Sequence, residues 1–149
     1  MLAVYNDAVE HTTATYDLVP VSLAERLDWY DHKVADGWPV LVAERDGAVV
    51  GWSTYGPFRP KAGYDHTVEH SVYVSETVRG GGIGSALLTP LIEHARAAGR
   101  HVMIGGVDAE NTGSIAFHQR HGFVETGRIR EVGRKFDRWL DVAFLQLVL

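Results

Sequence analysis

The stretch RGGGIGS, residues Arg79–Ser85, decides how the rest of this chain folds. It stands between an alternating apolar run, Ser71–Val74, and a segment of helical periodicity, Ala86–Ala98, so it predicts a glycine-rich turn from a strand into a helix. Glycines let a ligand approach the backbone closely, and the N–H groups and dipole at a helix N-terminus favour negative charge. The sequence therefore predicts an anion-binding site at this turn.

Composition narrows the class of protein. The chain has 149 residues, 46% of them hydrophobic and 22% charged, which predicts one globular domain over residues 1–149. A formal net charge of −5 does not favour nucleic-acid binding, and the absence of cysteine excludes disulfides, cysteine nucleophiles and thiolate metal ligands. No apolar run reaches the ~20 residues of a membrane span, and no signal-peptide pattern is visible, so we expect a cytoplasmic protein without a membrane partner.

The periodicity outward from the turn predicts an α+β layout. Residues 1–9 have the spacing of the end of a helix, and a capping box at Ser22–Glu25 begins a second helix that runs to about Asp36. Its apolar residues at helical spacing fall on one face and are Leu23, Leu27, Tyr30 and Val34. Before the glycine turn, the sequence predicts strands at 40–45 and 48–55 joined by Asp46-Gly47, a basic and aromatic loop at 56–65, and a strand at 66–75. After the turn and its helix, it predicts a strand at 101–107, a loop at 108–113 and a short helix at 114–121. The chain then ends with a strand at 123–132, a turn at 133–137 and a strand at 138–149. A strand, a helix and another strand around the glycine turn predict a right-handed crossover and a partly parallel sheet.

The glycine turn does not fit the two commonest phosphate-binding patterns. A dinucleotide fingerprint fails because Ser85 or Leu87 stands where its third glycine belongs, and a Walker A loop fails because the turn has no lysine. The order R-G-x-G-I/L-G/A resembles instead the pyrophosphate loop of the Gcn5-related N-acetyltransferases (GNAT), which holds acetyl-coenzyme A. The alternative is a turn without a ligand, in which ordering four glycines on folding would cost conformational entropy that no ligand contact offsets.

The resemblance extends over nearly the whole chain. The motifs YNDAV, TTATY, PFRPK, TVEHSVYV and WLDV, beginning at Tyr5, Thr12, Pro57, Thr67 and Trp139, resemble the phosphinothricin and methionine sulfoximine acetyltransferase branch of that family. The resemblance implies an α/β three-layer fold with a mixed central sheet flanked by helices, acetyl-CoA as co-substrate, and a homodimer. Family members normally begin with a strand before the first helix. That strand is expected to be missing here, since residue 1 already falls within the helical pattern.

The same resemblance implies which residues hold acetyl-CoA. Backbone groups of Val72, Tyr73 and Val74 would align the pantetheine arm and polarise the thioester carbonyl. The amides that would hold the pyrophosphate are those of Gly80, Gly81, Gly82, Ile83, Gly84 and Ser85. Arg79 would add charge there, or is a solvated loop arginine. Asn111 would contact the pantetheine arm, or is an ordinary loop asparagine.

Two residues are candidates for proton transfer. Glu69 is the candidate general base, directly or through a water, because a carboxylate on a central strand is costly to bury without a task or partner; a structural salt bridge is the alternative. Its side chain shares a face with Ser71, whereas His70 projects to the opposite face and is interpreted as structural. His118 stands where the family resemblance implies a residue that protonates the leaving thiolate, and a surface helix histidine is the alternative.

The basic and aromatic loop is the candidate acceptor site. Arg59 can pair bidentately with a carboxylate or phosphinate, and Lys61 can add a second cation. The histidines show no metal-ligand spacing, so no metal is expected. We expect acetyl transfer to the α-amino group of a small amino-acid-like compound such as phosphinothricin, methionine sulfoximine or methionine sulfone. The alternatives are another small amine or ordinary amino acid as acceptor, and a non-catalytic acyl-CoA-binding module.

Overall fold

The computed structural model describes all residues 1–149 and confirms the predicted mixed sheet flanked by helices. The elements are α1 (Leu2–His11), α2 (Leu23–Ala35), β1 (Val40–Arg45), β2 (Ala48–Pro57), β3 (Thr67–Val74), α3 (Ile83–Ala97), β4 (Val102–Asp108), α4 (Thr112–Arg120), β5 (Val124–Lys135) and β6 (Arg138–Val148). The first element of the structure is a helix. None of the helices combines the length and the apolar character that a membrane crossing requires.

The six strands form one sheet in the order β1-β2-β3-β4-β6-β5. Only β3 and β4 are parallel, and α3 connects them; all other neighbours are antiparallel. The parallel pairing is short, because Thr67–Glu69 pairs with Val102–Ile104 and the pairing then stops. Both strands continue, to Val74 and to Asp108, so they separate in the middle of the sheet.

Apolar side chains cover both faces of the sheet. The larger cluster lies beneath α3 and α4 and includes Leu88, Leu91 and Met103. The smaller cluster lies on the α1 side and consists of Tyr5, Val9 and Trp52. Alternate residues of a strand reach opposite faces, so β3 contributes to both clusters and separates two environments.

The predicted capping box of α2 is present, but the helix buries a different face from the apolar one. The Ser22 hydroxyl accepts from the Glu25 backbone N–H at 3.2 Å, and the Glu25 carboxylate accepts from the Ser22 N–H at 2.7 Å. The four residues predicted to form its apolar face are 40–61% exposed, and they are Leu23, Leu27, Tyr30 and Val34. Arg26 is buried in their place, with its guanidinium 4.1 Å from the Tyr5 ring centroid and 4.8 Å from that of Trp29. Stacking of this cation on aromatic rings decides which face of α2 meets the protein.

The turn predicted at residues 133–137 is present but is confined to its last two residues. Strand β5 runs on to Lys135, and the turn is made by Phe136 and Asp137 with φ of 51° and 56°. Gly133 lies within the strand, where a Cβ would stand 2.5 Å from the Tyr16 ring. That glycine therefore marks a close approach of an aromatic ring to a strand and not a change of chain direction.

Candidate active site

The separation of β3 from β4 opens a cleft of about 710 Å³. One side is lined by α1 and the loop after it, including Asp7, Thr12 and Thr13. The other side is lined by the glycine turn, the start of α3, and α4. Backbone polar groups on the facing edges of β3 and β4 have no ladder partner beyond Glu69 and Ile104. Such groups require a partner, so the cleft offers hydrogen bonds to a bound ligand or to solvent.

The glycine turn ends in an uncapped helix N-terminus. Gly82 is the N-cap of α3, with φ of +79° and no side chain to accept from the first N–H groups of the helix. Those N–H groups have no intrahelical partner and are available to an anion. The predicted cofactor residues that line the cleft here are Arg79, Gly80, Gly82, Ile83, Gly84 and Ser85; Gly81 does not line it. Arg79 forms an exposed ion pair with Glu76 at 2.7 Å, which contributes at most about 1 kcal/mol and is readily exchanged for a ligand.

The predicted pantetheine residues of β3 also line the cleft, and they are Val72, Tyr73 and Val74. Asn111 lines it from the start of α4 and has a second task there. Its Oδ1 accepts from the Ser114 backbone N–H at 3.0 Å and so caps the helix. The amide N–H₂ of Asn111 is not used in that bond, so it can donate to a ligand.

His118 reaches the cleft from α4 and is 5% exposed. Its Nδ1 lies 2.7 Å from the Ser114 carbonyl oxygen, which can only accept, so Nδ1 carries a hydrogen and Nε2 is the free nitrogen. Burial lowers the pKa of His118, while the bond to Ser114 opposes that effect and the nearby His121 adds to it. The ring is therefore mainly uncharged at neutral pH.

His70 and Glu69 lie on opposite sides of β3. A Cβ on Gly105 would stand 2.9 Å from His70 Nε2, and one on the adjacent Gly106 would stand 3.3 Å from Glu69 Oε1. Burial, with a smaller effect of a charge on His118, lowers the pKa of His70 to about 3. The two glycines of β4 thus allow an imidazole and a carboxylate to approach the strand from opposite sides.

The candidate base and the candidate acceptor residues stand outside the lining of the cleft. Glu69 is exposed, yet burial still raises the pKa of its carboxyl group, because protein surrounds it on the strand side. The charge of Arg59 opposes that effect, which places the guanidinium within electrostatic reach of Glu69. Arg59 stacks on the Phe58 ring at 4.7 Å, and both Arg59 and Lys61 are exposed.

Sequence reasoning missed Gly105, Gly106 and the α1 side of the cleft. A double glycine inside an apolar strand is a signal of close approach by another group, and it was available in the run His101–Val107. Asp7 and Thr12 gave no such signal, because they enter the cleft only through the packing of α1 on the sheet. The structure brings together no group of three or more histidine, cysteine, aspartate or glutamate side chains that could hold a metal ion.

A cleft with an uncapped helix N-terminus at one end and titratable side chains at the other suits a transferase whose donor carries phosphate groups. The chain belongs to the Acetyltransferase (GNAT) family, whose pattern it matches over residues 2–123. It is accordingly an acetyltransferase, and its relatives confirm the predicted branch of the family.

Three curated relatives illustrate that branch. The chain is 49% identical to the L-methionine sulfoximine/L-methionine sulfone acetyltransferase of Pseudomonas aeruginosa, covering 100% of this chain and 87% of that protein. It is 44% identical to the L-amino acid N-acyltransferase MnaT of Escherichia coli, covering 98% and 85%. It is 36% identical to the phosphinothricin N-acetyltransferase of Alcaligenes faecalis, covering 97% and 74%.

Solved structures share the fold. A ribosomal-protein-alanine N-acetyltransferase from Brucella melitensis superposes with a TM-score of 0.97 at 53% identity, covering 99% of this chain and 91% of that chain. A phosphinothricin acetyltransferase from Sinorhizobium meliloti, solved in complex with acetyl-CoA, superposes with a TM-score of 0.95 at 37% identity, covering 99% and 80%.

Proposed function

We propose that this acetyltransferase moves the acetyl group of acetyl-CoA to the α-amino group of a small amino-acid-like acceptor. The acceptor is methionine sulfoximine, methionine sulfone or phosphinothricin, which are the compounds named for its relatives. One observation carries the proposal: a single cleft connects the uncapped N-terminus of α3 with the point where β3 and β4 separate, beside Glu69 and His118. A long donor with phosphates at one end and a reactive thioester at the other fits that arrangement.

The chain holds such a donor largely by backbone groups. The first N–H groups of α3 face the pyrophosphate, and the Gly82 conformation leaves them uncapped. The open edge of β3 from Val72 to Val74 forms hydrogen bonds with the amides of the pantetheine arm. The arm thus lies where a neighbouring strand would otherwise pair with β3. The Asn111 amide adds a donor from α4. The same edge of β3 orients the thioester carbonyl and donates to the oxygen on which negative charge develops.

Glu69 acts as the general base. An acceptor amine enters as an ammonium ion and must lose a proton before its nitrogen can attack the thioester. Burial raises the pKa of Glu69 towards the range in which a carboxylate is an effective base, while the Arg59 charge limits the rise. Arg59, whose charge acts on this carboxylate, and Lys61 on the same loop supply positive charge for the carboxylate or phosphinate of the acceptor.

His118 gives a proton to the leaving sulfur through Nε2, the nitrogen that is free of the Ser114 bond. Because burial favours the uncharged ring, His118 is uncharged before the reaction and gains its second proton only during turnover. A proton released by the acceptor nitrogen as it bonds to the acetyl carbon is one source. In this scheme the imidazole relays a proton instead of storing one throughout the cycle.

A second acceptor class, ordinary L-amino acids, is favoured by the similarity to the Escherichia coli L-amino acid N-acyltransferase. The two classes differ in the group beyond the α-carbon, which the exposed Arg59 loop would meet. The same acetyl-CoA machinery serves both.

Thiol release from acetyl-CoA tests the proposal. The protein is offered methionine sulfoximine, methionine sulfone, phosphinothricin, the common L-amino acids and simple amines without a carboxylate. Release with the first three at much higher kcat/KM than with simple amines is expected. Tight CoA binding without thiol release for any amine would show a binding module instead.

Glu69→Gln is expected to lower kcat by about 10²-fold or more while CoA affinity stays within about twofold, because that side chain does not line the cofactor part of the cleft.

A further inference from the structure

Two buried imidazoles lie side by side at the cleft. The ring centroids of His70 and His118 are 5.0 Å apart with their planes inclined by 34°, and each centroid is 5.3 Å from that of Phe123. His70 is 7% exposed and His118 is 5% exposed. Both residues line the cleft on the same side of the sheet. Of the two, only His118 has a role in the proposed acetyl transfer.

His70 has no hydrogen-bond partner in the protein. Both of its ring nitrogens are buried and unpaired. A neutral imidazole always carries one N–H donor and one lone pair, and a buried polar group left unpaired costs about 1–3 kcal/mol. A phenylalanine ring would pack in the same space without that cost. The unpaired nitrogens therefore indicate that a hydrogen-bonding atom is needed at this position.

The free nitrogens of the two rings converge on one point of β4. A Cβ on Gly105 would stand 2.9 Å from His70 Nε2 and 3.3 Å from His118 Nε2. Since His118 Nδ1 is held by the Ser114 carbonyl, Nε2 is the atom at which this ring gains or loses a proton. Because Gly105 has no side chain, both Nε2 atoms can approach the same backbone position of β4.

We propose that His70 and His118 form a pair that takes up one proton during turnover, with neutral His70 accepting the hydrogen bond that His118 Nε2 donates once it is protonated. His70 is then a positioning residue that acts through His118. The inference rests on the proposed function, because it supplies the proton that the leaving sulfur needs. The carbon–sulfur bond breaks with its electron pair on sulfur, the N–H bond at His118 Nε2 breaks, and an S–H bond forms. The pair returns to the uncharged state and regains a proton from the acceptor nitrogen or from solvent.

The charges around the pair allow one proton and not two. Burial, with a smaller contribution from a positive charge on His118, lowers the pKa of His70 to about 3. From α4, His121 further disfavours positive charge on His118. On the β4 side Gly105 brings no charge, and Glu69 faces the other side of the sheet. The other charged side chains that line the cleft are Asp7, Arg79, Asp108 and Arg120. These surroundings therefore allow at most one proton on the pair at a time.

The test compares His70→Phe with His70→Gln. Phenylalanine keeps the ring packing and removes the acceptor, whereas glutamine keeps an acceptor oxygen. In the ligand-free protein the His118 ring is titrated by NMR. Its pKa is expected to fall by about one unit in His70→Phe, because a hydrogen bond to a charged group is worth about that much, and to stay near the wild-type value in His70→Gln. The exposed His66→Phe is the matched control and leaves the titration unchanged.

The rate profile gives a second readout. An acid catalyst must be protonated, so kcat falls as pH rises through its pKa, and that fall is expected at lower pH in His70→Phe. An equal or higher His118 pKa in His70→Phe would overturn the pairing. Because this titration needs no turnover, it is independent of the acceptor, whereas absence of thiol release in the wild type would overturn the proposed function.

A measurement on the wild-type protein tests the pairing even if the His70 variants do not fold. The ¹⁵N chemical shift of His70 Nε2 is expected to change as His118 titrates, since that nitrogen becomes a hydrogen-bond acceptor only when His118 is charged. A constant shift across the His118 titration would overturn the proposal.

Discussion

Glu69 and His70 are consecutive residues of β3, and their side chains stand on opposite sides of the sheet beside consecutive glycines of β4. This pair occurs where β3 stops pairing with β4. In the proposed reaction the acceptor therefore loses its proton on one side of the reacting carbonyl, and the leaving sulfur gains its proton on the other. Glu69 takes the proton of the acceptor ammonium ion and His118 gives a proton to the sulfur, so these two steps use different groups.

Removing the Arg59 charge should shift the pH dependence of the reaction. The guanidinium lowers the pKa of Glu69, so Arg59→Ala raises it. A base must be ionised to act, so the acidic limb of the kcat profile is expected to move to higher pH. The measurement is kcat against pH at saturating acceptor. Arg45→Ala, an exposed arginine on β1, is the control and leaves the limb in place. An acidic limb that moved to lower pH would contradict the role of Glu69 as base.

Gly105→Ala should damage turnover more than stability. The new methyl group would stand 2.9 Å from His70 Nε2 and 3.3 Å from His118 Nε2, so both rings must shift. We expect kcat to fall by about 10²-fold and stability to fall by about 1–3 kcal/mol. Kinetics and urea unfolding measure the two effects. Gly127→Ala, where no atom lies within 4 Å of the new Cβ, should leave both nearly unchanged.

Gly82→Ala should weaken acetyl-CoA binding. Gly82 has φ of +79° and Gly37 has φ of +73°, and at neither residue does a Cβ meet another atom within 4 Å. Alanine at either position is expected to cost about 1–2 kcal/mol of stability through backbone strain alone. Only Gly82→Ala should also raise the Kd for CoA, by about tenfold, because it disturbs the first N–H groups of α3. Calorimetric titration that found equal CoA affinity in both variants would contradict an anion site at this turn.

The two tasks of Asn111 can be separated by substitution. Asn111→Ala removes the cap of α4 and the amide donor, so it should lower stability by about 1 kcal/mol and raise the KM for acetyl-CoA. Asn111→Asp keeps an oxygen that accepts from the Ser114 N–H but loses the donor. It should therefore keep the melting temperature while the KM still rises. A normal KM in Asn111→Asp would show that the residue serves only as a helix cap.

Burial of His70 should make the fold sensitive to acid. Its pKa is about 3 in the folded protein, against an ordinary value of 6.5, so the unfolded chain binds the proton more readily between these values. The contribution of this histidine to stability is complete above about pH 6.5 and is lost as pH falls towards 3. The slope is at most about 1.4 kcal/mol per pH unit. Urea unfolding at pH 7 and pH 5 should show a smaller loss in His70→Phe than in the wild type; an equal loss would mean that His70 is not buried uncharged.

Local signals in the sequence were sufficient for much of the fold. The capping box at Ser22 and the hairpin turn at Asp46-Gly47 are present, and the turn uses φ of 52° and 76°. The glycine turn leads into α3 as predicted. Each of these depends on backbone geometry within a few residues, and the side chains that favour that geometry are visible in the sequence itself.

Features that depend on distant packing were not predicted. The buried face of α2 is set by Tyr5 and Trp52, which receive Arg26, so the apolar face of that helix stays exposed. The turn between β5 and β6 is made by Phe136 and Asp137 alone, and no local pattern shows that β5 continues through Gly133 to Lys135. In the same way, the position of Arg59 outside the cleft depends on how its loop lies on the sheet, which residue type alone does not determine.

The short contact between β3 and β4 has a mechanical consequence. The sheet consists of two three-stranded halves, β1-β2-β3 and β4-β6-β5, joined by only three residue pairs. A ligand that forms hydrogen bonds with both open edges replaces the missing hydrogen bonds between β3 and β4 and so holds the two halves together. Acetyl-CoA should therefore slow hydrogen exchange at the amides of Val72 and Val74, which face the open edge because Ser75 N–H bonds to β2, and delay thermal unfolding of the whole sheet. The donor would be, while it is bound, a structural part of the enzyme that consumes it.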